Sequence, residues 1–139
     1  MAVEDEVRQA SEQFYAALNS MLNGDTGPMM EIWSHGSDAS AMHPFGSRSL
    51  GWEEVRAGWE QAAQAFSGEQ VALDEMVVFA ISEAAAYTLG TEHGQGKVGD
   101  QTLDVDWRVT NIYHREDGGW KIVHHHTDFS SEVAQALGM

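Results

Sequence analysis

The sequence predicts an α+β fold in which helices pack on one face of a bent antiparallel sheet. Helical patterns fill most of the first half of the chain, and four long strand patterns follow in the second half. Strands that follow one another without intervening helices are typical of antiparallel sheets. No repeat, low-complexity tract or linker divides the 139 residues, so we expect one domain that spans residues 1–139.

The composition is that of an ordinary globular protein with an acidic surface. Hydrophobic residues make up 42% and charged residues 21% of the chain, and the formal net charge is −15. Nucleic acids and anionic membranes are bound by clustered Lys and Arg, of which the chain has seven, so we expect neither partner. The absence of cysteine excludes disulfides and thiolate chemistry. The acidic N-terminal segment lacks the pattern of a signal peptide, and a cytoplasmic location is expected.

Three helices are predicted in the first half of the chain. Apolar residues in the range 3–22 recur at spacings of three and four, and Asn23-Gly24 can end that helix. A short second helix is predicted around Pro28, because proline is favoured in a first helical turn. The third helix is expected to begin at Gly51-Trp52, and a terminal turn of helix is expected at residues 132–137.

The strand patterns occupy the rest of the chain. A short strand is predicted at residues 37–43, and longer strands are predicted at 71–81 and 84–93. The glycine-rich segment 94–100 predicts a mobile loop. A closing hairpin is predicted within residues 106–128.

The closing hairpin is predicted to have a polar end. Glu116-Asp117-Gly118-Gly119 supplies the glycines that a tight turn needs, between two arms rich in β-branched and aromatic residues. Because side chains alternate along a strand, one face of the second arm carries Trp120, Ile122, His124, His126 and Asp128. On the first arm a shared face carries Arg108, Thr110 and Ile112. Apolar residues at one end and polar residues at the other predict a sheet that closes a core and opens into a polar-lined cavity.

His124, His126 and Asp128 have three open interpretations. A histidine titrates near neutral pH and a carboxylate can orient its ring, so the group could act as acid and base. Two imidazoles and a carboxylate could instead bind zinc or iron. They could also be hydrogen-bonded residues of a half-buried sheet. Since the outer two lie roughly 13 Å apart on a straight strand, one ion would need a further ligand such as His43 or Glu92, and we assign neither a metal nor a cofactor.

The candidate catalytic residues are His43, His126 and Asp128. His43 precedes Pro44 at the end of a strand, where the mouth of a sheet would lie, although a surface-loop histidine is the alternative. The candidate ligand-binding residues have polar or aromatic side chains that could line the same cavity: Arg108, Thr110, His124, Tyr87, Glu92, Trp33 and Trp52. Glu92 falls on the face opposite Tyr87 unless a bulge intervenes, and a pair with Arg108 is an equally good structural role for it.

Four segments carry a resemblance to a known superfamily. They are Phe14-Tyr-Ala-Ala-Leu-Asn19, the strand 39–46, the helix after Leu50-Gly51 and the hairpin 108–128. Together they resemble the nuclear transport factor 2-like superfamily, also called ketosteroid isomerase-like or SnoaL-like, and the hairpin is also similar to the association domain of calcium/calmodulin-dependent kinase II. The resemblance covers nearly the whole chain. It implies a cone-shaped, curved antiparallel (mixed) sheet wrapped around the N-terminal helix, and a homodimer formed through the outer face of the sheet.

Comparison with the steroid isomerase argues against that reaction. The position of its general-base aspartate matches His43, and the position of its oxyanion-hole tyrosine matches Phe14, which has no hydroxyl. The position of its protonated aspartic acid falls near Thr110 or Ile112. Without both donors the enolate lacks electrostatic stabilisation. The histidines and Asp128 are more similar in style to dehydratases resembling scytalone dehydratase, whose pocket pairs histidines with an aspartate.

The sequence therefore leaves two functions, each with a small-molecule ligand in an internal pocket. The first is an isomerase, dehydratase or cyclase that transfers protons on an apolar carbonyl compound. In it His43 or His126 acts as base or acid, Asp128 orients a histidine, and Arg108 binds a carboxylate or oxyanion. The second is a non-catalytic ligand-binding or dimerisation domain, in which Arg108 matters and the histidines do not.

Overall fold

The computed structural model describes residues 2–68 and 70–139, which contain four helices and seven strands. In chain order they are α1 (Val3–Leu22), α2 (Gly27–Ile32), β1 (Ser40–Met42), β2 (Ser49–Leu50), α3 (Trp52–Ala65), β3 (Phe66–Ser67), β4 (Val71–Ala80), β5 (Ala85–Val98), β6 (Gln101–Glu116), β7 (Gly119–Thr127) and α4 (Ser131–Ala136). None of the helices in this described part has the length and hydropathy needed to cross a membrane.

The strands form one sheet in the order β2-β1-β7-β6-β5-β3, with β4 also paired to β5. β1 runs parallel to β7, whereas the other pairs are antiparallel. One short parallel strand therefore joins an otherwise antiparallel sheet that packs on helices, and the predicted α+β class is confirmed.

Helix α1 packs in the hollow of the sheet and supplies the centre of the core. Phe14 and Leu18, one helical turn apart, are 0% and 8% exposed. The Phe14 ring lies 6.1 Å from the Trp59 ring of α3 and 5.3 Å from the His125 ring of β7, measured between centroids. The predicted helix at residues 3–22 is confirmed at both ends.

The segment 94–100 is not a loop, and its prediction as one is wrong. Strand β5 continues to Val98, and after a two-residue turn β6 begins at Gln101. Gly94 has a φ of +153°, and a Cβ added there would lie 2.0 Å from the backbone oxygen of Gln70. The glycine is therefore needed where another backbone segment approaches β5 closely, and it does not signal mobility.

A β-bulge interrupts the closing hairpin between β6 and β7. His124 pairs with Ile112, and Ile122 pairs with the next residue of β6, Tyr113. Val123 is thus an extra residue without a partner on β6, which is the pattern of a bulge. The turn itself has positive φ at both central residues, Asp117 and Gly118, as the sequence predicts for a tight hairpin.

The bulge changes which residues of β7 face the core. Ile122 and His125 are three positions apart, yet they are 1% and 3% exposed, whereas His126 is exposed. A regular strand would have buried Ile122, His124 and His126 together. The inward face of β7 therefore passes from even-numbered residues before Val123 to odd-numbered residues after it.

Candidate functional site

A cavity of about 80 Å³ lies between the concave face of the sheet and helices α1, α3 and α4. Most of its lining is apolar. Its wall includes six side chains that carry polar atoms: His43, Trp59, Glu92, Asp104, Trp107 and His125. Typical small-molecule pockets hold roughly 300–1,000 Å³, so this cavity suits a compact ligand, and a larger one would need the side chains around it to move.

Five residues that the sequence places in the cavity lie on the convex face of the sheet: Arg108, Thr110, His124, His126 and Asp128. The Arg108 side chain is 85% exposed and donates from Nε and Nη2 to the Asp128 carboxylate at 2.9 and 3.0 Å. These hydrogen bonds lower the pKa of Asp128 and raise that of Arg108. The prediction that these five side chains face the cavity is wrong. On β7 the bulge reverses the alternation, and β6 buries the opposite face, with Val109 and Asn111.

The two convex-face histidines are separated from His43 and Glu92, the residues considered as a further metal ligand. The Nδ1 atom of His124 lies 2.7 Å from the Ser40 hydroxyl, and partial burial lowers the pKa of this imidazole. The rings of His124 and His126 lie 5.9 Å apart. His43 and Glu92 lie across the sheet from them and cannot complete a metal site with them.

Three predicted aromatic ligand-binding residues lie outside the cavity lining. The Tyr87 ring stacks on Phe79 of β4, with centroids 4.9 Å apart, on the convex face. Trp33 is 1% exposed and packs in the core, 6.1 Å from the ring of Trp59. Trp52 is the first residue of α3 and does not contribute to the cavity wall.

Glu92, in contrast, lies in the cavity wall with both carboxylate oxygens occupied. It is 3% exposed, and it accepts hydrogen bonds from the Tyr15 hydroxyl and from Trp107 Nε1, each at 2.8 Å. Burial raises the pKa of Glu92, and the two hydrogen bonds lower it in part. The expected pair with Arg108 does not form, because Glu92 pairs across β5 and β6 with Trp107 and shares its inward face.

The same hydrogen-bond network continues to His125. Asn111 donates from Nδ2 to the Tyr15 oxygen at 3.2 Å, and its Oδ1 lies 2.6 Å from Nδ1 of His125. Because the amide oxygen can only accept, Nδ1 of His125 carries the proton and Nε2 is left with a lone pair. Burial holds the pKa of His125 well below its usual range, so the ring is neutral near pH 7.

His43 lies beside His125 at the end of β1, within an aromatic cluster. Its ring centroid is 4.6 Å from Trp59, 5.6 Å from Phe45 and 6.0 Å from His125. Burial lowers the pKa of His43 to about 4. Within the residues that the structure describes, its Nε2 and the Nε1 of Trp59 are buried without a hydrogen-bond partner. A Cβ added at Gly58 would lie 3.3 Å from this Nε2, so the glycine lets α3 approach the ring.

Tyr15, Asn111 and His125 are site residues that the sequence pattern does not predict. One signal was present: Asn111 stands between Val109 and Tyr113 on the otherwise apolar face of its strand. A polar residue in such a position indicates a buried group that needs a hydrogen-bond partner. Nothing comparable in the sequence marks Val123 as a bulge.

The arrangement can accept and return a proton inside an apolar enclosure. His125 presents an unprotonated Nε2 from a ring whose Nδ1 is held by an amide. The unpartnered nitrogens of His43 and Trp59 belong to the same aromatic cluster as His125. These are the elements of general acid–base catalysis with stabilisation of an oxyanion.

Comparison with known proteins agrees with this architecture. A family model described as "SnoaL-like domain" matches residues 7–130. No protein of curated function matches the chain significantly in sequence.

Solved structures cover nearly the whole chain. A candidate dehydratase of the NTF2-like family from Streptomyces avermitilis is 20% identical, with 91% of this chain and 95% of that chain covered and a TM-score of 0.78. An NTF2-like superfamily protein from Salmonella enterica is 19% identical, with coverage of 93% and 92% and a TM-score of 0.80. A candidate calcium/calmodulin-dependent kinase II association domain from Thiobacillus denitrificans is 26% identical, with coverage of 89% and 94% and a TM-score of 0.67. The predicted nuclear transport factor 2-like fold is thereby confirmed.

Proposed function

Since this chain belongs to the SnoaL-like domain family, we propose that it is an enzyme that transfers protons on a small apolar carbonyl compound bound in the cavity. Isomerisation, dehydration and cyclisation all share this chemistry, in which a proton leaves one atom of the substrate and another is delivered elsewhere. The apolar lining selects an uncharged organic ligand, and the polar atoms in the wall orient it.

The main support for this proposal is the orientation and neutral charge of the His125 ring. Its Nδ1 is bound to Asn111, its ring is neutral, and the ring forms part of the cavity wall. A base needs a free lone pair and a fixed ring, and His125 has both. We assign it the role of general base, with Nε2 as the acceptor atom. This role replaces the one that the sequence suggests for His126, which lies on the convex face.

We assign His43 and Trp59 the role of hydrogen-bonding to the carbonyl oxygen of the ligand. Their buried nitrogens without partners are costly to leave unsatisfied. A carbonyl oxygen drawn between them would accept these hydrogen bonds and become more negative as the proton leaves carbon. The two ring centroids lie 4.6 Å apart, and both nitrogens must turn toward the same oxygen when it binds.

The experiment is proton exchange in D₂O on a panel of compact apolar ketones, with polyketide-like and steroid-like ketones as its larger members. Deuterium entering the carbon next to the carbonyl is followed by NMR, which detects proton transfer even where no net product forms. We expect His125→Gln to lower the exchange rate by about 10²-fold or more, and His126→Gln, the matched convex-face control, to leave it unchanged. Equal rates for wild type and His125→Gln on every exchanged substrate would remove the assignment.

A second function, assembly without catalysis, is favoured by the convex face. Three of its apolar side chains are well exposed: Val77, Phe79 and Leu89, at 48%, 41% and 41%. A second copy of this chain would cover them, and similarity to an association domain supports that choice. We propose a homodimer through this face, tested by light scattering. If the wild type is a dimer, Phe79→Glu should be a monomer. A Phe79→Glu variant with the mass of a dimer would contradict the proposed face.

A further inference from the structure

Glu92 is joined to His125 by an unbroken chain of hydrogen bonds. The chain passes from Glu92 Oε2 through the Tyr15 hydroxyl and the Asn111 amide to His125 Nδ1, with distances of 2.8, 3.2 and 2.6 Å. All four side chains are buried. An unsatisfied donor or acceptor at any link would be costly, so the links must agree in direction.

Trp107 fixes the direction at one end of this chain. An indole N–H can only donate, and it donates to Glu92 Oε1 at 2.8 Å. Oε1 must therefore accept, and Oε2 is the atom of Glu92 that faces Tyr15. Oε2 either accepts from or donates to Tyr15, and this choice fixes the direction of each later hydrogen bond in the chain.

The Tyr15 hydroxyl donates to Glu92 Oε2, so this carboxylate oxygen is an acceptor, and that direction sets every later link. Because its single proton is donated to Oε2, the Tyr15 oxygen is free to accept from the NH₂ of Asn111. The Asn111 oxygen then faces His125 and requires a proton on Nδ1. We propose that Glu92 is a positioning residue that sets the tautomer of His125, and so leaves the lone pair of His125 on Nε2. The catalytic consequence rests on the function proposed above, whereas the tautomer does not.

Replacing Glu92 by glutamine should reverse the direction of the hydrogen bond at each link. The Trp107 N–H requires the amide oxygen of the new side chain, so its NH₂ must face the Tyr15 oxygen. Tyr15 then needs an acceptor for its own proton, and a rotated Asn111 amide supplies one. The rotation turns the Asn111 NH₂ toward His125, whose Nδ1 must now accept, and the ring proton moves to Nε2.

The test is ¹⁵N NMR of the full chain labelled at histidine, with the His125 signals assigned by their loss in His125→Gln. We expect the ring of wild type to carry its proton on Nδ1 at neutral pH, and that of Glu92→Gln to carry it on Nε2. In Glu92→Gln/Trp107→Phe the new amide is free to rotate and present its oxygen to Tyr15, so the proton should return to Nδ1. Trp107→Phe alone should keep it there.

Either of two results would overturn the proposal. A wild-type ring with its proton on Nε2 excludes the chain as described, whatever the effect of Glu92→Gln. An unchanged tautomer in a folded Glu92→Gln excludes the control by Glu92. A general loss of packing would not be reversed by removing a second side chain, so the return in the double variant separates positioning from a merely structural effect.

Kinetics separate this proposal from the proposed function. With an exchanging ketone, Glu92→Gln should lower kcat at least about tenfold with KM changed less than about twofold, and the double variant should match Trp107→Phe. If Glu92→Gln alters the tautomer of His125 but no ketone exchanges with any form of the protein, the hydrogen-bond chain is supported and the proposed enzymatic function is contradicted. Normal exchange in a Glu92→Gln variant whose tautomer is reversed would remove the catalytic role of Glu92.

Discussion

Asn111 Oδ1 accepts a hydrogen bond from His125 Nδ1 at 2.6 Å, across strands β6 and β7 and on the concave face of the sheet. This contact depends on the bulge at Val123, because a regular strand would have turned His125 to the other face. The orientation of β7 therefore decides which of three consecutive histidines can serve the cavity.

The orientation can be tested by cysteine reactivity, since the natural chain has no cysteine. We expect His126→Cys to react readily with a thiol reagent, because its position is exposed on the convex face. His125→Cys should react at least about tenfold more slowly, because buried thiols are inaccessible. A faster reaction at position 125 than at position 126 would show that β7 has the opposite orientation.

The buried network predicts an uneven response to loss of tyrosine hydroxyls. Tyr15→Phe removes the group that bridges Glu92 and Asn111, and it should lower the free energy of unfolding by about 1–3 kcal/mol. Tyr87→Phe, on the convex face, is the matched control and should change it by less than about 0.5 kcal/mol. Urea denaturation measures both, and equal effects would mean that the Tyr15 hydroxyl is not a structural link.

Burial of His43 predicts a loss of stability in mild acid. Its pKa is about 4 in the folded protein against an ordinary value of 6.5, so above pH 6.5 both states hold the neutral ring. As the pH falls from 6.5 toward 4, the unfolded chain binds a proton that the folded chain excludes, and stability falls. The contribution of His43 between pH 7 and pH 5 is about 2 kcal/mol.

His43→Phe should therefore lose about 2 kcal/mol less than wild type between pH 7 and pH 5 in urea titrations. The lowered pKa of His125 acts in the same direction and remains in the variant. The raised pKa of Glu92 acts oppositely. A carboxyl group whose pKa is higher in the folded state loses its contribution to stability as the pH increases. An identical pH dependence in wild type and His43→Phe would place His43 in solvent.

The close approach at β5 predicts that Gly94 cannot carry a side chain. Gly94→Ala places a Cβ 2.0 Å from the oxygen of Gln70, and the backbone must shift to relieve the overlap. We expect a loss of at least about 2 kcal/mol in the free energy of unfolding. Gly119→Ala, where the nearest neighbouring atom is 4.0 Å away, should cost much less. A similar effect at both positions would contradict the close approach of the Gln70 backbone to β5.

Much of the fold could be predicted because its signals are local. The spacing of Phe14 and Leu18 defines the buried stripe of α1, and the pair Asp117 and Gly118 has the positive φ values that a tight turn requires. Such signals need only neighbouring residues. The role of Gly94 could not be predicted, because the backbone that requires a glycine there, at Gln70, lies far away along the chain.

The site was predicted less well because it depends on one extra residue. Alternation correctly groups Trp120 with Ile122, but it cannot be extended past Val123 to His124 and His126. The sequence predicts His43 and Glu92 as site residues, and both line the cavity, whereas the roles of Asn111 and His125 follow only from the paired register of β6 and β7.

We expect the ligand to bind against the concave wall of the cavity, which includes His125 and His43. The most direct test is ¹⁵N–¹H NMR of histidine-labelled protein during titration with the ketone panel. We predict that a bound ketone shifts the ring signals of His125 and His43 and leaves those of His124 and His126 in place. Shifts confined to His124 and His126, with His125 and His43 unaffected, would contradict the account.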